Sequence, residues 1–166
     1  MARRSKEEVI AEIKRLYECF DDMIDQINTH GPVDNFIDKS LLIPLSAYLD
    51  GIENREFTAS EALSGIKEGV NGNCLFLLEY IERDPDAVAA MLKGYQEKTG
   101  RDYWTDAGDP KKAVKAILKR GYAETEDEYY LIKEVVCDVD NSLIANRDRP
   151  KAERIMDDFE QRSIAQ

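Results

Sequence analysis

The sequence predicts an all-α fold, a single-domain bundle or array of about seven to eight helices. Three observations predict it. Helix-start and helix-stop signals recur along the chain, apolar residues return at three- and four-residue spacing, and alternating strand patterns with hairpin turns are missing.

The start signals come first. Ser5 with Glu8, Thr58 with Glu61 and Thr125 with Glu128 each fit a capping box, in which side chain and backbone donors satisfy one another at a helix start. Asp84-Pro85 and Asp109-Pro110 place a capping carboxylate before a proline at the first helical position, where the missing N–H costs nothing. Gly31, Gly51, Gly100 and Gly121 follow periodic segments, as left-handed helix stops do.

Between these marks run apolar stripes, Val9/Ile13/Leu16/Phe20/Ile24/Ile27 near the N-terminus and Leu131/Val135/Val139/Leu143 later. The resulting helices are 5–28, 33–50, 58–70, 73–83, 85–99, 110–120, 125–146 and 150–163. Asn71-Gly72-Asn73 is expected to kink or break the chain ahead of the apolar run 74–81, because a mid-helix glycine costs about 1 kcal/mol relative to alanine. That run suits a central helix, and 73–83 with parts of 5–28 and 125–146 is expected at the centre of the fold. No fixed-period repeat is visible, which argues against a solenoid.

The 166 residues carry 23 Lys and Arg against 34 Asp and Glu, a net charge of -11, with one histidine and three cysteines. A length of this order buries a sizeable core in one domain, 1–166, without disulfides or metals. Histidine dominates acid–base chemistry at neutral pH, so a chain with only His30 cannot write a histidine-based triad, an HExxH helix or a multi-histidine metal site. No P-loop, Rossmann or GxSxG pattern occurs. His30 precedes Gly31-Pro32 and is expected in a turn, which disfavours a phosphotransfer role. Cys19, Cys74 and Cys137 lack CxxC spacing and read as reduced thiols of a cytoplasmic protein. Apolar runs stay far short of the roughly 18 residues a membrane span needs, and clustered positive charge for nucleic acid is lacking.

Charge is unevenly laid out. From Leu16 to Asp38 there is no Lys or Arg, and Glu18, Asp21, Asp22 and Asp25 fall within a narrow arc opposite the Leu16/Phe20/Ile27 stripe. Like charges at i,i+4 cost a few tenths of a kcal/mol each, so stability alone would prefer lysines there. A second acidic stretch covers 124–140, partly explained by the preference of a helix's first turn for carboxylates. The segment Lys111–Arg120 is basic throughout, with Lys111, Lys115 and Lys119 on one face; pairing with acidic neighbours is expected over a membrane or phosphate ligand. Between Gly100 and Gly108, Tyr103-Trp104 is expected to close over the core, with an exposed recognition loop as the alternative.

The leading expectation is a non-enzymatic acidic binding protein without a cofactor. It would engage a basic protein partner through Glu18, Asp21, Asp22 and Asp25, with Tyr103 and Trp104 second. In size and acidity the chain is similar to small helical immunity proteins and phage-encoded inhibitors, a likeness of type that no motif carries. One alternative is a magnesium-dependent helical nucleotide or phosphate hydrolase using Glu79, Glu82, Glu134 and Asp138 as paired carboxylates. The DDxxD match at Asp21-Asp22-Met23-Ile24-Asp25 has the carboxylates of a diphosphate–magnesium motif, but no second motif or phosphate-gripping arginines accompany it. Another alternative is an oligomeric scaffold, a homodimer in the simplest case.

Overall fold

The computed structural model describes residues 4–137 and 143–164. These residues form eight α-helices and three short 3-10 turns, with no strand among them, so the chain is all-α. They gather into two compact units, Met1–Gly108 and Asp109–Gln166. The all-helical class matches the sequence reading, while the core is divided between the two units.

The first unit holds α1 (Lys6–His30), α2 (Leu45–Glu53), α3 (Ala59–Tyr80), α4 (Pro85–Thr99) and α5 (Tyr103–Ala107). Ser5 and Thr58 make full capping boxes with Glu8 and Glu61, and Asp84 caps α4 ahead of Pro85. The α1 stripe Ile13, Leu16, Cys19, Met23 and Ile27 packs with Ile66, Val70, Cys74 and Leu77 of α3 and Val88, Met91 and Tyr95 of α4. All of these side chains are buried. Each large aliphatic side chain removed from water contributes about 1.5–3 kcal/mol, and this stripe sets how α1 lies against its neighbours.

The second unit holds α6 (Pro110–Arg120), α7 (Glu126–Cys137) and α8 (Arg149–Ile164). Val114 and Ile117 of α6, Tyr129, Ile132 and Val135 of α7, and Ala152 and Ile155 of α8 make its core, with Tyr129 stacked on Phe159 at 4.9 Å. Asp109 caps α6 through the Lys111 and Lys112 amides. At Thr125 only half of the expected box forms. The Glu128 amide donates to Thr125 Oγ1, but the Glu128 carboxylate accepts from Glu124 N and from Arg120 instead.

Several boundaries differ from the sequence reading, each for a local reason. The predicted helix 33–50 is two 3-10 turns, Val33–Asn35 and Lys39–Leu41, followed by α2. Pro44 has no N–H and drives the residue before it out of the helical region, so α2 begins only at Leu45. The predicted break at Asn71-Gly72-Asn73 does not occur: α3 runs through it, since burial of Val70, Asn73, Cys74 and Leu77 outweighs the glycine cost. Gly100 and Gly121 end helices at φ 73 and φ 90, as expected. Gly31 instead caps α1 in extended backbone, and Gly51 lies inside α2, where a Cβ would meet the Phe57 ring at 2.3 Å. The Gly100–Gly108 stretch contains the short helix α5 rather than an open loop. The predicted helix 125–146 is seen as α7 to Cys137; residues 138–142 lie outside the described residues. Ala145 is extended ahead of a 3-10 turn at Asn146–Asp148, so no helix runs through to 146.

Candidate functional site

Segment 31–44, between α1 and α2, turns large apolar side chains toward solvent. Val33 is 91% exposed, Leu41 82%, Phe36 68% and Ile43 58%. The segment is nevertheless fastened to α1 along its length. Asn28 Nδ2 donates to the Ile37 carbonyl and the Ile37 amide donates to Asn28 Oδ1, both at 2.8 Å. Tyr17 Oη donates to the Ile43 carbonyl at 3.1 Å. Asp38 accepts from the Ser40 amide and hydroxyl, closing the second 3-10 turn. Exposed apolar side chains grouped on an ordered segment are a recognised mark of interaction surfaces, and holding them in place lowers the entropy lost on binding.

The same segment supplies the lysine that the α1 acidic arc lacks in sequence. Lys39 Nζ donates to Asp21 Oδ2 at 2.7 Å and to Asp25 Oδ1 at 2.8 Å. From α4, Lys98 Nζ stands 2.8 Å from both Asp22 Oδ1 and Asp25 Oδ2. Burial alone would raise the Asp25 carboxyl, but hydrogen bonds from Lys39 and Lys98 outweigh it and hold the group below the usual carboxylate range. Lys98 is pushed up by its bonds to Asp22 and Asp25, against a smaller opposing effect of burial. For Lys39 burial acts downward, and the bonds to Asp21 and Asp25 carry it above its ordinary value.

Asp21, Asp22 and Asp25 are therefore half-buried members of an ion-pair network, not an open carboxylate face. The network braces segment 31–44 and α4 against α1. Glu18 stands outside it, exposed. One carboxylate oxygen from each aspartate comes within 4.8 Å of the others, the only such potential metal-holding group among the described residues. The two ammonium groups already bridge it, so the DDxxD match is met by the chain's own cations.

Other predicted site residues are placed differently again. Tyr103 is 1% exposed and sits edge-on to Tyr95 at 5.1 Å and Trp104 at 5.5 Å. Trp104 packs half-buried on the same core, so the pair closes over it as expected. Tyr95 donates to Asp106 Oδ2 at 2.7 Å, and Arg101 Nε stands 2.9 Å from the same oxygen, which fastens α5 to α4. The described carboxylates of the alternative hydrolase quartet are divided between the two units. Glu79 is exposed at the end of α3, Glu82 lies in the turn beyond it, Glu134 belongs to α7 of the second unit, and Asp138 lies outside the described residues. His30 occupies the last turn of α1.

On α6 the ion pairs of the basic face among the described residues are those of Arg120 and Lys112. Arg120 pairs with Glu124 and Glu128, and Lys112 reaches Asp109 at 3.9 Å. Lys111, Lys115 and Lys119 are exposed, with no ion pair among the described residues.

The apolar quartet Val33, Phe36, Leu41 and Ile43 is what sequence reasoning missed. Pro32 and Pro44 bracket the segment and were the available signal, because a helix cannot run through Pro44. Comparison of the chain with models of known protein families, with curated proteins and with solved structures finds no match in any of the three. No described helix is long and apolar enough to cross a membrane.

Proposed function

We propose that this chain is a non-enzymatic interaction protein that holds a basic protein partner on its first unit. The observation that carries the reading is the anchored segment 31–44, with Val33, Phe36, Leu41 and Ile43 outward. Desolvating apolar anchors of this kind supplies most of the held energy of an interface, while surrounding charge governs encounter and partner choice. Charge supports the choice of a basic partner: residues 1–108 hold 21 Asp and Glu against 12 Lys and Arg. In this reading Asp21 and Asp25 position the segment through Lys39, Asp22 and Asp25 hold Lys98 of α4, and the contacts belong to the apolar side chains.

The test is a pull-down with the immobilised full chain at low and high salt, with Leu41→Ser and Phe36→Ser variants alongside. A basic protein held by the parent chain, weakened by salt and lost with either variant is the expected result. Equal capture by parent and variants would overturn the assignment of the segment.

A further inference from the structure

Resting on that interaction reading, we infer that the groove between segment 35–37 and α3 is an anchor pocket for one bulky apolar side chain of a lysine- or arginine-flanked peptide segment in the partner. Ile27, Asn35, Phe36, Ile37, Gly72, Asn73 and Phe76 line this groove of about 350 Å³. Its walls are mainly apolar, with Asn35 and Asn73 the polar exceptions, and Phe76 is stacked on Tyr80 at 5.3 Å, which stiffens one side.

Two features of α3 bear on what the groove would take. Gly72 is exposed in mid-helix, and a Cβ there would meet nothing within 4 Å. The glycine therefore weakens the helix without admitting any neighbour of its own chain, whereas close approach by another molecule would use it. Asn73 is the second feature. It is the only buried polar residue among the described ones, at 6% exposure, and its Nδ2 donates to the Phe20 carbonyl at 3.2 Å. Asn73 also lines the groove, and its Oδ1 accepts no hydrogen bond from the described residues, so it is open to an incoming donor. A peptide N–H entering beside Gly72 would supply it.

Charge selects the occupant. Asp34 adjoins Asn35, Glu68 lies one turn before Gly72, and Glu79 lies one turn beyond Phe76; all three are exposed and make no ion pair among the described residues. The lysine of the neighbouring segment, Lys39, is committed to Asp21 and Asp25. An apolar residue flanked by cations matches this rim, and an acidic segment would be repelled.

The experiment uses the full chain, isotopically labelled, and a short synthetic peptide with a central tryptophan between lysines, with a serine-centred peptide as control. The Gly72 amide and Asn73 side-chain amide resonances are expected to shift on titration with the tryptophan peptide, and the serine peptide to bind at least tenfold more weakly. Gly72→Leu fills the groove from within; it is expected to raise the Tm by a few degrees and weaken the tryptophan peptide at least tenfold. Equal binding of the two peptides, or undiminished binding by Gly72→Leu, would overturn the pocket. The pull-down separates this failure from that of the interaction reading. A partner lost with Leu41→Ser but kept by Gly72→Leu overturns the pocket alone, and a partner kept by both variants overturns both.

Discussion

Asn28 on α1 holds Ile37 by both of its backbone polar groups, giving and taking one hydrogen bond of 2.8 Å each. This side-chain clamp replaces the ladder that a helix would have given residues 33–43. A part-buried hydrogen bond is worth about 1 kcal/mol net, so Asn28→Ala is expected to cost about 1–2 kcal/mol. Hydrogen exchange is the check: the Ile37 amide should exchange faster in the variant, while amides of the α1 core, such as Leu16, stay protected until the unit opens.

The lysine–aspartate network gives a pH dependence whose sign follows from its partners. Asp25 is held below its unfolded value, so its contribution is present above about pH 4 and is lost as pH falls through the lowered folded value. Lys39 and Lys98 are held above theirs, so their contribution is full below about pH 10 and is lost as pH rises through the raised folded values. The network's contribution to stability should therefore be flat between these limits and fall at both ends. Asp25→Asn is expected to flatten the acid limb in urea titrations run from pH 2 to pH 6.

Tyr103 separates packing from recognition. It is buried against Tyr95, with its hydroxyl 3.5 Å from Cys74 Sγ. Tyr103→Ala is expected to cost about 3–5 kcal/mol through the cavity it leaves, and Tyr103→Phe about 1 kcal/mol or less. Urea midpoints would read both, and Tyr103→Phe should capture a partner as well as the parent chain does.

On α6, charge and stability should part company. Replacing Lys111, Lys115 and Lys119 together with glutamine is expected to move stability by no more than about 0.5 kcal/mol, since none is ion-paired among the described residues. Arg120→Gln should cost about 1–2 kcal/mol, because its guanidinium meets Glu124 and Glu128 and covers the Tyr122 ring at 5.0 Å. Thermal unfolding of the two variants gives the comparison.

What could be read from the sequence was what neighbouring residues decide. Caps at Ser5, Thr58, Asp84 and Asp109 act over three residues or fewer, and each formed as expected. The α1 stripe needed only the helical period. The acidic arc of α1 was legible as a helix face, but its partners were not: Lys98 meets Asp25 across 73 positions of chain. The reading at Asn71-Gly72-Asn73 failed because a local glycine penalty was weighed without the burial on either side of it. Segment 33–43 was misread because its spacing imitates a helix, although Pro44 already barred one continuous helix from 33 to 50.

The three thiols differ in a way that bears on how the molecule can be watched. Cys19 and Cys74 are sealed in the first core, while Cys137 faces solvent at the end of α7. A maleimide dye added to the native protein should therefore attach at one address in the second unit, far in sequence from segment 31–44. Binding at that segment can then be followed by fluorescence without engineering a label site, and slow labelling at the other two sulfurs would time the opening of the first core.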